Sequence, residues 1–237
     1  MQSGNPQQNS FRHKIRGTSL YYNSHTGHAD WSGCQRCVLS TGRRIVAVRQ
    51  DGTHTYGHTS PVRILFVGSS PDSTDSATGI PFSGFAGRVL RYVIGELKHS
   101  INYCMTHQVC CQTKDIVKLF KPDGTEYLAA DEDEADEFLS TPGTHAELTN
   151  VGRLPRQKEK LLCSPHITQI IETFKPKGIV TVGFETDFSH PRIPIFRLFG
   201  KTGAKPFQHY IEETEYKLLD CRREANKLSR FIQELTQ

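Results

Sequence analysis

Apolar positions in this chain fall in short runs, and their spacing changes abruptly at one place. Ile64-Leu65-Phe66-Val67 is a continuous apolar run between Arg63 and Gly68, which suits a strand covered on both faces of a parallel sheet. From Phe85 the apolar residues are Ala86, Val89, Leu90, Val93, Ile94 and Leu97, steps of three and four that lay one stripe along a helix. Arg88 and Arg91 fall off that stripe and can face a ligand or solvent. Between strand and helix lies a polar loop beginning Gly68-Ser69-Ser70-Pro71-Asp72. Open α/β sheets bind ligands in the crevice at the carboxyl ends of their strands, so chemistry is expected in this loop. A second stripe, Leu218, Cys221, Ala225, Leu228, Ile232 and Leu235, predicts a long carboxyl-terminal helix packed back on the sheet.

Composition narrows the class. The 237 residues are enough for one sizeable core, and the net charge of +4 permits a nucleic-acid partner without requiring one. Residues 1–33 are rich in Ser, Gly, Asn, Gln and His and read as an irregular arm, with residues 34–237 as a single domain. The arm mixes Arg12, His13, Lys14 and Arg16 with Tyr21 and Tyr22, which suits either a DNA contact or a solvated tail. No apolar run reaches membrane-spanning length and the opening MQSGNPQQNS is polar, so a soluble, cytoplasmic monomer with no membrane partner is expected. Seven cysteines in such a chain argue for a metal or cluster before disulfides. Cys34-Gln-Arg-Cys37 taken alone fits zinc, a redox pair or an iron–sulfur cluster equally well.

The order Gly68-x-x-Pro71, Asp75, then Gly79-x-Pro81-Phe82-x-Gly84-x-Ala86-Gly87 resembles the first motif of the iron–sulfur (family 4) uracil-DNA glycosylases, G-E-A-P-G-x-x-E-D-x-x-G-x-P-F-x-G-x-A-G. It matches in length without a gap. The family core also opens on a C-x-x-C pair followed by a Leu and an Arg-rich strand, here Leu39 and Arg43-Arg44-Ile45-Val46. The stretch Tyr103 to Cys111 resembles the family strand Y-I-T-N-V-V-K-C, with Cys111 on the ligand position and Cys110 on the Lys. Cys163 through Gly183 resembles the C-x-P-x-L helix and the strand that follows it. The resemblance implies a three-layer α/β/α sandwich with a short, mainly parallel central sheet. It also implies a structural 4Fe-4S cluster on Cys34, Cys37, Cys111 and Cys163, with zinc at the same thiols as the alternative. Cys104 and Cys221 read as buried small hydrophobes.

The chain departs from the family in two places. An insertion around residues 112–160 contains the acidic run Asp131 to Glu137, which would repel a phosphate backbone and is expected as a solvated loop or short helix turned away from DNA. Its later part, Arg153 to Lys160, is basic enough to touch DNA. In the pocket, Ser69, Ser70 and Asp72 stand where the family has Glu, Ala and Gly, and His107 where it has the uracil-reading Asn. The resemblance implies a DNA glycosylase that flips a base and hydrolyses its N-glycosidic bond. The altered positions suggest a modified or non-uracil pyrimidine, for example in hypermodified phage DNA as an antiviral defence. Ordinary uracil excision repair and a catalytically inactive DNA- or protein-binding module are the alternatives. Ser70, Phe82 and His107 are the expected base-binding residues, with Phe82 as the stacking face. Asp72 and Asp75, the loop's carboxylates, are catalytic candidates, each with helix or turn capping as its competing role. Ser69 and His209 complete the catalytic set, His209 standing near the place of the family's H-P-S motif.

Overall fold

β2 (Val62–Gly68) is the central strand of a five-stranded sheet in the computed structural model, which describes residues 37, 39, 50–130, 132–139, 141–183, 186–199 and 214–237. β3 (Ile101–His107) lies parallel on one side of it, placing Gly68 level with His107, and β7 (Gly178–Val182) lies parallel on the other. β8 (Ile195–Leu198) continues the parallel set, while β1 (Gln50–His54) runs antiparallel along the outer edge of β3. The strand order is β1-β3-β2-β7-β8.

Alternation along β2 decides which helix covers which face. Ile64 and Phe66 face α2 (Phe85–Gly95) and α5 (Thr214–Glu234), where Leu90, Val93, Cys221, Leu228 and Ile232 close one core. Leu65 and Val67 face α4 (Gln157–Phe174) through Ile167 and Ile170, with Cys104 and Ile179 in the same cluster. Fully burying each such side chain contributes about 1.5–3 kcal/mol. The sheet is thus sandwiched between two helix layers, as the resemblance implies. Inside α4, Pro165 has no N–H for the Leu161 carbonyl, and the Ser164 hydroxyl donates to that carbonyl at 2.8 Å instead.

The insertion is a second, smaller unit. β4 (Lys114–Phe120), β5 (Glu126–Tyr127) and β6 (His145–Gly152) form an antiparallel sheet in the order β5-β4-β6. The acidic run folds as α3 (Glu132–Leu139), which packs Ala135 and Leu139 against Leu119. The unit's root is bonded to α4 and to the loop that follows β2. Arg153 donates its N–H to the Thr113 carbonyl at 3.0 Å, and its guanidinium pairs with the buried Glu159 of α4. The Thr113 hydroxyl gives its proton to the Arg153 carbonyl, so Ser70 Oγ donates to Thr113 Oγ1 at 3.2 Å. Among the described residues, no helix is long and apolar enough to cross a membrane.

Candidate active site

The loop leaving β2 turns at once into a short helix, α1 (Ser73–Thr78), and that turn separates the two aspartates. Asp72 is exposed and caps the helix, its Oδ1 accepting from the Asp75 N–H at 2.8 Å. Asp75, one turn further on, points inward and is buried. Its Oδ1 accepts from Ser83 N at 2.7 Å, Ser83 Oγ at 3.0 Å and Gly84 N at 3.2 Å, and its Oδ2 lies 2.8 Å from His107 Nε2. Burial raises the Asp75 carboxyl pKa, but the bond to His107, the charge of that ring and the Ser83 bonds outweigh it and hold the group below the usual carboxylate range. The carboxylate is therefore the acceptor and His107 Nε2–H the donor, which leaves His107 Nδ1 buried without a partner.

Phe82 closes this arrangement. Its ring stacks on the His107 imidazole with centroids 4.6 Å apart and planes 21° from parallel, and the two residues are only 3% and 4% exposed. The stack needs Gly68: a Cβ there would lie 2.6 Å from His107 Nδ1 and 2.8 Å from Phe82 Cζ. Phe82 has φ 56°, a left-handed conformation that bulky residues rarely adopt. Ser69 and Ser70 are half-buried, with the Gly68 and Ser69 carbonyls accepting from Gln108 N and Val109 N at 2.7 and 3.0 Å. Behind His107, Thr106 Oγ1 lies 2.9 Å from Nε2 of the fully buried His166. Burial, aided by the like charge on His107, brings the His166 pKa down to about 3 and keeps its ring neutral.

The thiols gather on the insertion side of β3. Cys37, Cys110, Cys111 and Cys163 are all buried in one cluster with Leu39 and Val109. A hydrogen bond from the Cys110 thiol to the Cys163 sulfur outweighs burial and lowers the Cys163 pKa. Soft thiols converging in an apolar pocket are the donor chemistry that an iron–sulfur cluster or zinc requires. Among the described residues, no three His, Cys, Asp or Glu side chains are already drawn together in metal-binding geometry. Cys34 and His209 lie outside the described residues. Cys104 is buried in the α4-side core and Cys221 in the α2/α5-side core, where burial, helped by Asp220, Glu224 and Glu96, pushes the Cys221 thiol up to about 11.

A mainly parallel sheet between helices, with a Gly- and Pro-rich loop and a buried carboxylate–imidazole pair at the strand ends, defines an α/β protein of the kind that binds ligands at the carboxyl ends of its strands, which makes the ends of β2 and β3 the candidate site. Residues 54–212 match the uracil DNA glycosylase superfamily, and the chain belongs to it. Over 152 residues it is 26% identical to the type-4 uracil-DNA glycosylase of Saccharolobus solfataricus, an alignment covering 63% of this chain and 50% of that protein. The chain therefore spans about half the length of this curated relative.

Asp75, Phe82 and His107 come from one loop and the neighbouring strand end, and the fold brings them into contact, whereas Ser70 of the same loop bonds Thr113. Sequence reasoning missed three participants. Arg91, whose guanidinium donates to the Phe82 carbonyl and to Gln50 Oε1, was visible as an off-stripe cation, but nothing marked these targets. Thr113 carried no signal, and Cys110 was set aside for its neighbour.

Proposed function

We propose that the chain is a DNA N-glycosylase that flips a pyrimidine into the crevice over β2 and β3 and hydrolyses its N-glycosidic bond, leaving an abasic site. Membership of the superfamily is the observation that carries this reading. Negative charge builds on the departing base and positive charge on the sugar, so the two need opposite partners. Asp72, exposed at the mouth of the loop, is the carboxylate for the sugar, and Ser69 beside it can hold the attacking water. Asp75 is buried and committed to Ser83, Gly84 and His107, with three bonds on Oδ1 and one on Oδ2; its role is to hold the floor of the pocket. His209 is the donor to the departing base.

Ser70, Phe82 and His107 are the base-binding set. Phe82 is stacked on His107, so the imidazole holds one face of the ring and fixes its orientation. An imidazole in place of an amide, together with Ser69 and Ser70, supports a substrate other than plain uracil, with hypermodified phage DNA and a defence role as the biological setting. Cys34, Cys37, Cys111 and Cys163 would hold a 4Fe-4S cluster, which would supply a structural tie between the amino-terminal segment, the end of β3 and α4. DNA is the partner, met by a monomeric, intracellular protein.

The test is incubation of purified protein with unmodified, uracil-containing and modified DNAs, followed by abasic-site cleavage and mass spectrometry of released bases. Release of a modified pyrimidine is expected. Release of uracil alone would make the protein a uracil repair enzyme, and no release from any DNA would make it a binding module.

A further inference from the structure

Phe82 holds its left-handed backbone against a steric cost, and such strain persists only where the surroundings impose it. Gly87 permits it and Arg91 holds it. The Phe82 carbonyl oxygen occupies the space that any Cβ on residue 87 would need. The same oxygen accepts a hydrogen bond from Arg91 Nη1 at 2.9 Å, and Arg91 Nη2 donates to Gln50 Oε1 of β1 at 2.7 Å. The guanidinium thus spans from α2 to the edge strand and pins the peptide that aims the aromatic ring. Arg88, one turn earlier, lies 5.3 Å over the Phe85 ring instead.

We infer that Arg91 is a positioning residue for base stacking: it acts through Phe82, setting that ring against His107 by clamping its carbonyl to Gln50. The inference rests on the reading of Phe82 as the stacking face of the base pocket. Arg91 is half-buried with two of its guanidinium nitrogens donating to these acceptors, so those donors are used inside the protein and not on a phosphate. A phosphate-binding arginine would behave differently, because each phosphate contact adds close to one unit to the salt dependence of binding.

The experiment uses the full chain with isotopically labelled histidine. Replacing Phe82 by Ala removes the ring current over His107 and marks the position of its unstacked ring resonances. Arg91→Met is expected to move the His107 signals toward that position, with Gln50→Leu moving them part of the way. Thermal melting confirms that each variant is folded, and Gln50→Leu carries the test if Arg91→Met is not. Unmoved His107 signals in folded Arg91→Met, or in Gln50→Leu if that protein is the only folded one, would overturn the inference, as would a Phe82→Ala spectrum identical to the parent. A second arm measures affinity against salt for a duplex carrying one uracil and one carrying a 5-modified cytosine. Arg91→Met should weaken binding by up to the roughly 5- to 150-fold that one stacked base contributes, leave the salt slope unchanged, and add nothing in a Phe82→Ala background. A slope reduced by about one, with additive losses, would assign Arg91 to the phosphate backbone and overturn positioning. If Phe82→Ala binds both duplexes as the parent does while the His107 signals still answer to Arg91→Met, the stacking reading of Phe82 falls and the clamp stands.

Discussion

Replacing Asp75 by Ala strips the acceptor from four buried or half-buried donors at once: Ser83 N, Ser83 Oγ, Gly84 N and His107 Nε2. Leaving a buried donor unpaired costs about 1–3 kcal/mol, and breaking a buried charged pair from one side about 3–5 kcal/mol. Water entering the vacated space satisfies part of this, so about 3–5 kcal/mol is the expected loss for Asp75→Ala. That is a large share of the roughly 5–15 kcal/mol that stabilises a domain, and corresponds to a fall in Tm of roughly 6–20 °C at this chain length. Asp75→Asn is milder. Its amide oxygen still accepts from Ser83 and Gly84, while its NH2 forces His107 to accept at Nε2 and carry its proton on Nδ1, so about 1–2 kcal/mol is lost with the charge assistance. Urea unfolding followed by circular dichroism reads both values. The reasoning is refuted if Asp75→Ala unfolds within about 0.5 kcal/mol of the parent, or if Asn costs more than Ala. Because the folded pKa of Asp75 is depressed, its contribution is complete above the unfolded value of 3.8 and is lost only as pH falls through the lower folded value.

Gly87→Ala should be far more damaging than Gly84→Ala. The first sets a methyl on the Phe82 backbone carbonyl, and the second meets the Asp72 side chain, which can move at the cost of its cap to Asp75 N; thermal melts of the two proteins compare them. His166 gives an acid dependence of opposite origin: its folded pKa of about 3 lies below the unfolded 6.5, so stability falls as pH drops from 6.5 toward 3, by about 4–5 kcal/mol in full. His166→Gln, which retains a partner for Thr106, should flatten that part of the pH–stability curve; an unchanged curve would refute the assignment. Anaerobically purified protein should be brown with about four irons per chain, and Cys→Ser at position 37, 111 or 163 should lower soluble yield, whereas colourless protein with stoichiometric zinc would decide for the alternative. On the DNA that the base-release assay identifies, Asp72→Asn should remove most turnover with binding retained, and His209→Ala should slow it by about 100-fold or more.

What the sequence by itself determined is local or spaced at fixed intervals. The apolar run at Ile64–Val67 and the stripes of α2 and α5 are legible because burial repeats with the period of the element that carries it. The glycines of the first motif are legible for a similar reason. Gly68 and Gly87 stand where neighbouring groups leave no room for a Cβ, and that requirement stays at a fixed place along the chain. The division of labour between Asp72 and Asp75 was not legible, since both are carboxylates in one polar loop. A single helical turn sends one outward as a cap and the other beneath His107, and the partner arrives only because β2 and β3 pair in the register that sets Gly68 beside His107. The antiparallel unit of the insertion escaped for the same reason: its strands are defined by pairing with each other, and pairing between distant residues leaves little trace in either segment alone. Arg91 is the sharpest case. Its place off the stripe follows from the helical period, but its target is a backbone carbonyl, identical in every residue and therefore invisible until the turn at Phe82 presents it.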